Sequence, residues 1–143
     1  IKYAAQSTYG ETDKRIYLTA QRVQSNSIRL PKEPEGSEIV ATGGDDYIMS
    51  VPRWGGFTEI MPKFLNTEWT ISDISGNHQI AVSLLVNKDA DMSTLNAQEL
   101  FRSRLVSDES HERVVLMVAV TGLAKLIADV QGHGIALEHI YDY

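Results

Sequence analysis

The histidines come first, because imidazole and carboxylate groups are the usual ligands of a zinc or iron centre. His111, His133 and His139 stand toward the C-terminus with Glu112, Glu138, Tyr141 and Asp142 around them. A metal-dependent hydrolase would draw on these groups. Their spacing, however, is not that of a metal motif. His133 and His139 are six apart, and His111 lies across a long apolar run, whereas paired ligands on one helical face stand four apart. They are weak metal candidates beside the simpler reading of a surface tail. Asn87-Lys88-Asp89-Ala90-Asp91-Met92-Ser93 places oxygen atoms at alternate positions, as a calcium loop begins. Met92 occupies the place of the turning glycine, and Gln98 stands where a bidentate Glu is needed, so a polar loop is expected there. Adjacent carboxylates in Gly43-Gly44-Asp45-Asp46 read as a solvated turn. No serine sits in a nucleophile-elbow pattern. No catalytic residue and no cofactor is assigned.

The best binding candidate is aromatic. Arg53, Trp54 and Phe57 share the segment Pro52-Arg53-Trp54-Gly55-Gly56-Phe57. Tryptophan and arginine are the side chains that most often anchor interfaces. Pro and Gly on either side suggest a loop that presents both rings. The competing reading folds a ring back as a lid over the edge of the core.

The elements that position these residues follow from composition and periodicity. The chain has 143 residues, 43% hydrophobic and 22% charged, which suits one globular domain spanning 1–143. Its net charge of −6 argues against a surface tuned to nucleic acid, so no nucleic-acid partner is expected. Cysteine is absent, which removes disulfides and thiolate chemistry and suits a soluble protein of the cytoplasm. Residue 1 is Ile, as in a trimmed chain or a piece of a longer product, and no secretory leader pattern opens it.

Residues 1–90 read as β-rich. Arg15–Ala20, Ser27–Leu30, Glu38–Thr42 and Tyr47–Val51 are short runs of β-formers between Pro- and Gly-containing turns. Glu68–Ser72 and Gln79–Val86 flank Asp73-Ile74-Ser75-Gly76-Asn77, predicting a β-hairpin. Beyond Asn87, Ala97, Leu100, Phe101 and Leu105 share a three-to-four spacing that predicts a short amphipathic helix over 93–105. Val114–Ala124 carries only Thr121 and Gly122 to relieve it. Eleven residues are too few for a membrane span, which needs about 20. A helix over 112–130, apolar all round and therefore buried, is expected, with 131–143 as a tail. The fold class is mainly β with a C-terminal helix (α+β), as a closed or strongly curved antiparallel sheet packed around that helix.

Trp69-Thr70-Ile71-Ser72-Asp73-Ile74-Ser75-Gly76-Asn77-His78-Gln79-Ile80-Ala81-Val82, together with Glu109-Ser110-His111-Glu112-Arg113-Val114 leading into Val114–Val130, resembles the tubby-like superfamily. That group includes LURP-one-related proteins and phospholipid scramblases. The resemblance implies a closed barrel around a hydrophobic helix, and a module binding a protein or a membrane lipid head group. It implies no catalytic residue, and the acidic calcium motif of a scramblase is missing. Three functions therefore stand as expectations: a non-catalytic binding module for a protein or lipid, a structural subunit of a larger assembly, or a metal-dependent hydrolase using the C-terminal histidines.

Overall fold

The structure is a computed structural model and describes residues 15–22, 32–65, 67–133 and 135–142. Its elements run β1 (Arg15–Arg22), β2 (Glu38–Gly43), β3 (Asp46–Pro52), α1 (Trp54–Ile60), β4 (Trp69–Ile74), β5 (Gln79–Asn87), β6 (Gln98–Arg104), β7 (His111–Ala119), α2 (Leu123–Gly132) and β8 (Ala136–Ile140). Single 3-10 turns at Met61–Phe64 and Val120–Gly122 follow α1 and precede α2. The predicted strand Ser27–Leu30 lies outside the described residues.

Among the described residues, two antiparallel four-stranded sheets form, in the orders β2-β3-β1-β4 and β6-β7-β5-β8. The fold is mainly β, as the alternation predicts. Among the described residues neither sheet closes into a barrel. Inward residues of both sheets meet in one core. Leu18, Met49 and Ile74 come from the first sheet, Val82, Leu84, Leu116 and Ile140 from the second, and both helices contribute to the same cluster.

The greatest departure from the sequence expectation is at Val114. The run Val114–Val118 is not a helix but the middle of β7, paired along its length with β5 and on its other side with β6. A central strand buried on both faces is apolar without alternation, and its periodicity over a few residues cannot be told from that of a buried helix. Three β-branched valines at 114, 115 and 118 favour the strand, because their χ1 is stiff and packs well on a pleated surface. The helix comes later, as α2. It buries Leu123, Leu126, Ile127 and Val130, a one-sided stripe at three- and four-residue spacing. Residues Val114–Val130, one of the two segments carrying the tubby-like resemblance, are thus a strand followed by an amphipathic helix.

Two further expectations are corrected. The 93–105 segment is no helix: Gln98–Arg104 is the edge strand β6, and Leu100 and Phe101 are exposed. Its pairing with β7 shifts register between Glu99 and Phe101, and such a bulge disrupts regular alternation. Met92 and Leu95 are the buried anchors of that stretch instead. The tail expected over 131–143 is partly structured as well. Ala136–Ile140 forms β8 against β5.

The predicted hairpin is half right. Ser75 and Gly76 have φ of 52° and 81°, as a type I′ turn requires, and Ile74 and Asn77 exchange both backbone hydrogen bonds. Pairing stops at that single bridge. Beyond it β4 joins β1 and β5 joins β7. The turn therefore links the two sheets.

On one face of the second sheet, Arg113 of β7 reaches across β5 to Glu138 of β8. Its Nε and Nη2 donate to the two carboxylate oxygens at 2.6 Å each. These bonds hold the Glu138 carboxyl below its ordinary range, against the opposing effect of partial burial. A depressed folded pKa contributes stability that is full above the unfolded value near 4.5 and is lost as pH falls through the folded one. Glu138→Gln is accordingly expected to be less stable than wild type at neutral pH, with the gap closing below pH 4.5. Urea titrations at pH 7, 5 and 3 check this, and a gap that stays constant would contradict it.

Candidate functional site

Pro52 ends β3, and the chain turns sharply into α1. Sequence reading leaves 52–57 as a loop because of its two glycines. Yet Phe57, Ile60, Met61 and Phe64 recur at the spacing of one helical face, and all four are buried. That stripe was visible in the sequence and was the signal for a helix. Gly56 permits the fold-back: a Cβ there would stand 2.8 Å from Cβ of Pro52.

The three binding candidates separate accordingly. Phe57 is 0% exposed and belongs to the core. It is a packing residue, which is the lid reading carried to completion. Trp54 is 48% exposed, and Arg53 lies beside it with its guanidinium carbon 5.1 Å from the indole centroid. That is within the range of a cation–π contact.

Trp54 is also strained. Its φ is +55°, a left-handed conformation uncommon for non-glycine residues and most anomalous for a bulky one. The other non-glycine residues at positive φ among those described are Ser75 and Asp89, small polar types that hydrogen-bond locally in turns. Such a conformation costs about 1–3 kcal/mol and persists only where surrounding contacts over-determine it. Here the contact is Asp142. Its Oδ2 accepts the Trp54 backbone N–H at 2.9 Å and lies 3.6 Å from Arg53 Nε. The carboxylate is buried, 1% exposed as a residue. Its own carbonyl accepts the Ser75 hydroxyl at 3.2 Å, which ties the corner to the inter-sheet turn. Thr58 of α1 accepts the Ile140 N–H at 2.9 Å and contacts His139 Nδ1 at 3.3 Å. β8 and the residues after it therefore hold α1 in place. Asp142 is the residue that sequence reading missed in this role, since it is 88 positions from its partner.

The histidines do not converge as a metal set. His139 packs edge-on against Tyr141, with ring centroids 4.6 Å apart, beside α1. His133 places Nδ1 2.7 Å from the Asp129 carbonyl at the end of α2. His111 and His133 do share one groove with Asn87 and Asp108. Among the described residues, no three His, Asp or Glu side chains are grouped to hold a metal ion.

One serine–histidine–aspartate cluster does form, at Asp108, Ser110 and His111. Asp108 Oδ2 lies 2.6 Å and Ser110 Oγ 3.0 Å from the same imidazole nitrogen, Nδ1. A hydrolytic trio needs the acid on one ring nitrogen and the hydroxyl on the other. Ser110 instead donates to Asp108 through both its N–H and its hydroxyl, and these bonds, ahead of the His111 contact, lower the Asp108 pKa. This is a turn closing the approach to β7.

The calcium-like loop likewise turns on itself. Ser93 N–H bonds Asp91 at 2.9 Å, and Asp89 N–H bonds Glu112 at 2.7 Å. Asp45 and Asp46 are exposed at the β2–β3 turn, and Asp46 accepts from Gln21.

Fold and corner together define a two-sheet, mainly β domain that carries a clamped, half-exposed tryptophan. No protein-family model, no curated protein and no solved structure matches this chain. Among the described residues, no helix is long and apolar enough to cross a membrane.

Proposed function

We propose that this domain is a non-catalytic binding module for a protein partner, with Trp54 as the central contact and Arg53 at its side. One observation carries the reading. A large aromatic side chain stands half exposed on a backbone conformation that costs energy, held there by a buried carboxylate from the other end of the chain. Nothing in the core needs that ring. Fixing an aromatic in its outward orientation lowers the entropy lost on association, and tryptophan and arginine are among the residue types enriched at energetic centres of interfaces. The acidic character of the chain, −6 overall, favours a protein contact over the anionic surface of a bilayer.

The test is direct. The domain is used to capture partners from extracts of its own source cells. An identified partner is then purified and titrated against wild type, Trp54→Ala and, as a surface control, Lys63→Ala. Truncating an interface anchor typically costs 2 kcal/mol or more, so Trp54→Ala is expected to weaken the partner at least about 30-fold. The control should bind as wild type does. Equal binding by wild type and Trp54→Ala would overturn the reading, as would flotation with anionic liposomes that depends on Trp54 in place of any protein partner.

A further inference from the structure

A second site lies away from the Trp54 corner. Between β4, the 3-10 turn at Met61–Phe64 and the start of α2, the structure leaves a cavity of about 270 Å³. Its walls are apolar: Met61, Phe64, Trp69, Ile71, Leu123 and Ile127. Polar groups are confined to Thr70, Thr121 and Lys125, all exposed and therefore at its mouth. The space opens to solvent on the side of Thr70, Thr121 and Lys125, so it is a cleft with an apolar floor. An apolar cavity of about 150 Å³ stays dry and admits a benzene ring, so this one holds a single ring with a short tail, or a chain of similar bulk.

The electrostatics of the mouth have one sign. No hydrogen bond or ion pair among the described residues engages Lys125. It lies in the first turn of α2, a ten-residue helix with no side-chain cap at its start and no acidic residue in that turn. The lysine thus sets a full positive charge near the N-terminal end of a helix that continues from the 3-10 turn at Val120–Gly122, with no carboxylate beside it. In a chain of net charge −6, this is a local reversal placed at the opening of a greasy pocket.

We infer that this cavity binds a small amphipathic anion, its apolar body between Trp69 of β4 and Leu123 and Ile127 of α2, and its carboxylate at the Lys125 ammonium. The pocket selects for size and greasiness. The lysine selects for charge at one end. Neither property is used by the corner at Trp54, and the two sites stand or fall separately.

Octanoate and its neutral counterpart 1-octanol are the probes, titrated into the 143-residue chain and followed by amide and indole resonances in two-dimensional NMR. Octanoate is expected to give saturable shifts at the Trp69 indole and the backbone amides of residues 121–125. It should bind about fivefold more tightly than 1-octanol, the most that a solvent-exposed ion pair usually contributes. Lys125→Met, a surface change, should bring octanoate to the affinity of 1-octanol and leave 1-octanol unaffected. Ala124→Trp, directed at the mouth, should abolish binding of both, with thermal unfolding used to confirm that the variant folds. No saturable shift with either probe would overturn the assignment. Equal affinities of the two probes for wild type, or octanoate binding unchanged by Lys125→Met, would overturn it equally.

Discussion

Leu116→Ala is expected to destabilise the domain by about 2–5 kcal/mol, the range for removing a fully buried leucine and leaving its cavity unfilled. Leu116 is 1% exposed at the centre of β7, opposite Val82 on one side and Glu99 on the other. Strands on both flanks limit how far the site can collapse, which places the cost toward the upper part of the range. With a urea dependence of about 2 kcal/mol per molar, the midpoint should fall by roughly 1–2.5 M, toward the larger value. Phe101→Ala is the paired measurement. Phe101 is 55% exposed on edge strand β6, so its truncation should change stability by about 0.5 kcal/mol or less. The contrast matters because spacing in the sequence places Phe101 on the buried stripe of a helix. A Phe101→Ala cost equal to that of Leu116→Ala would restore that helix and undo the assignment of β6 and β7.

Asp142→Ala carries the second-largest expected effect, about 2–3 kcal/mol. It removes a charged acceptor from the Trp54 N–H, a bond class worth about 1.5–3 kcal/mol. The same substitution also takes the carboxylate away from the Arg53 Nε, 3.6 Å from it. Without the carboxylate, nothing offsets the left-handed backbone at Trp54, so α1 should start later and the indole should lose its fixed orientation. Near-UV circular dichroism of the tryptophan region reports the second effect and urea unfolding the first. Asp142→Asn keeps an acceptor oxygen in place and should recover most of the loss. If Asp142→Ala unfolds at the wild-type midpoint with an unchanged tryptophan spectrum, Asp142 is no clamp, and the case for a presented Trp54 weakens with it.

The part of this architecture that was legible before folding is the part that depends on neighbours in sequence. Arg15–Ala20, Glu38–Thr42 and Tyr47–Val51 announce strands through β-branched and aromatic residues between turn formers, and each is a strand. Asp73–Asn77 announces a turn, and it makes one, with the positive φ angles at Ser75 and Gly76 where the sequence suggests Gly76 and Asn77. Turn chemistry is settled within four residues, so its prediction survives. Which strand then pairs with which is settled by distant partners, and so β4 and β5 part company into different sheets.

Val114–Val118 shows the same division. Its apolar character alone determined that the run would be buried, and it is. Whether it would be coiled or extended was decided by β5 and β6, which supply hydrogen-bond ladders on both sides. Leu100 and Phe101 fit a helical stripe equally well until that ladder claims them for an edge. The residues of the site divide likewise. Residue type alone points to Trp54 and Arg53, while Phe57 belongs to the core through a helical register that two glycines conceal. Asp142 had no local signal at all. Hydrophobicity and backbone preference are carried by each residue and its immediate neighbours. Pairing partners, clamps and cavities exist only after chain closure has brought residues as far apart as 54 and 142 within hydrogen-bond distance.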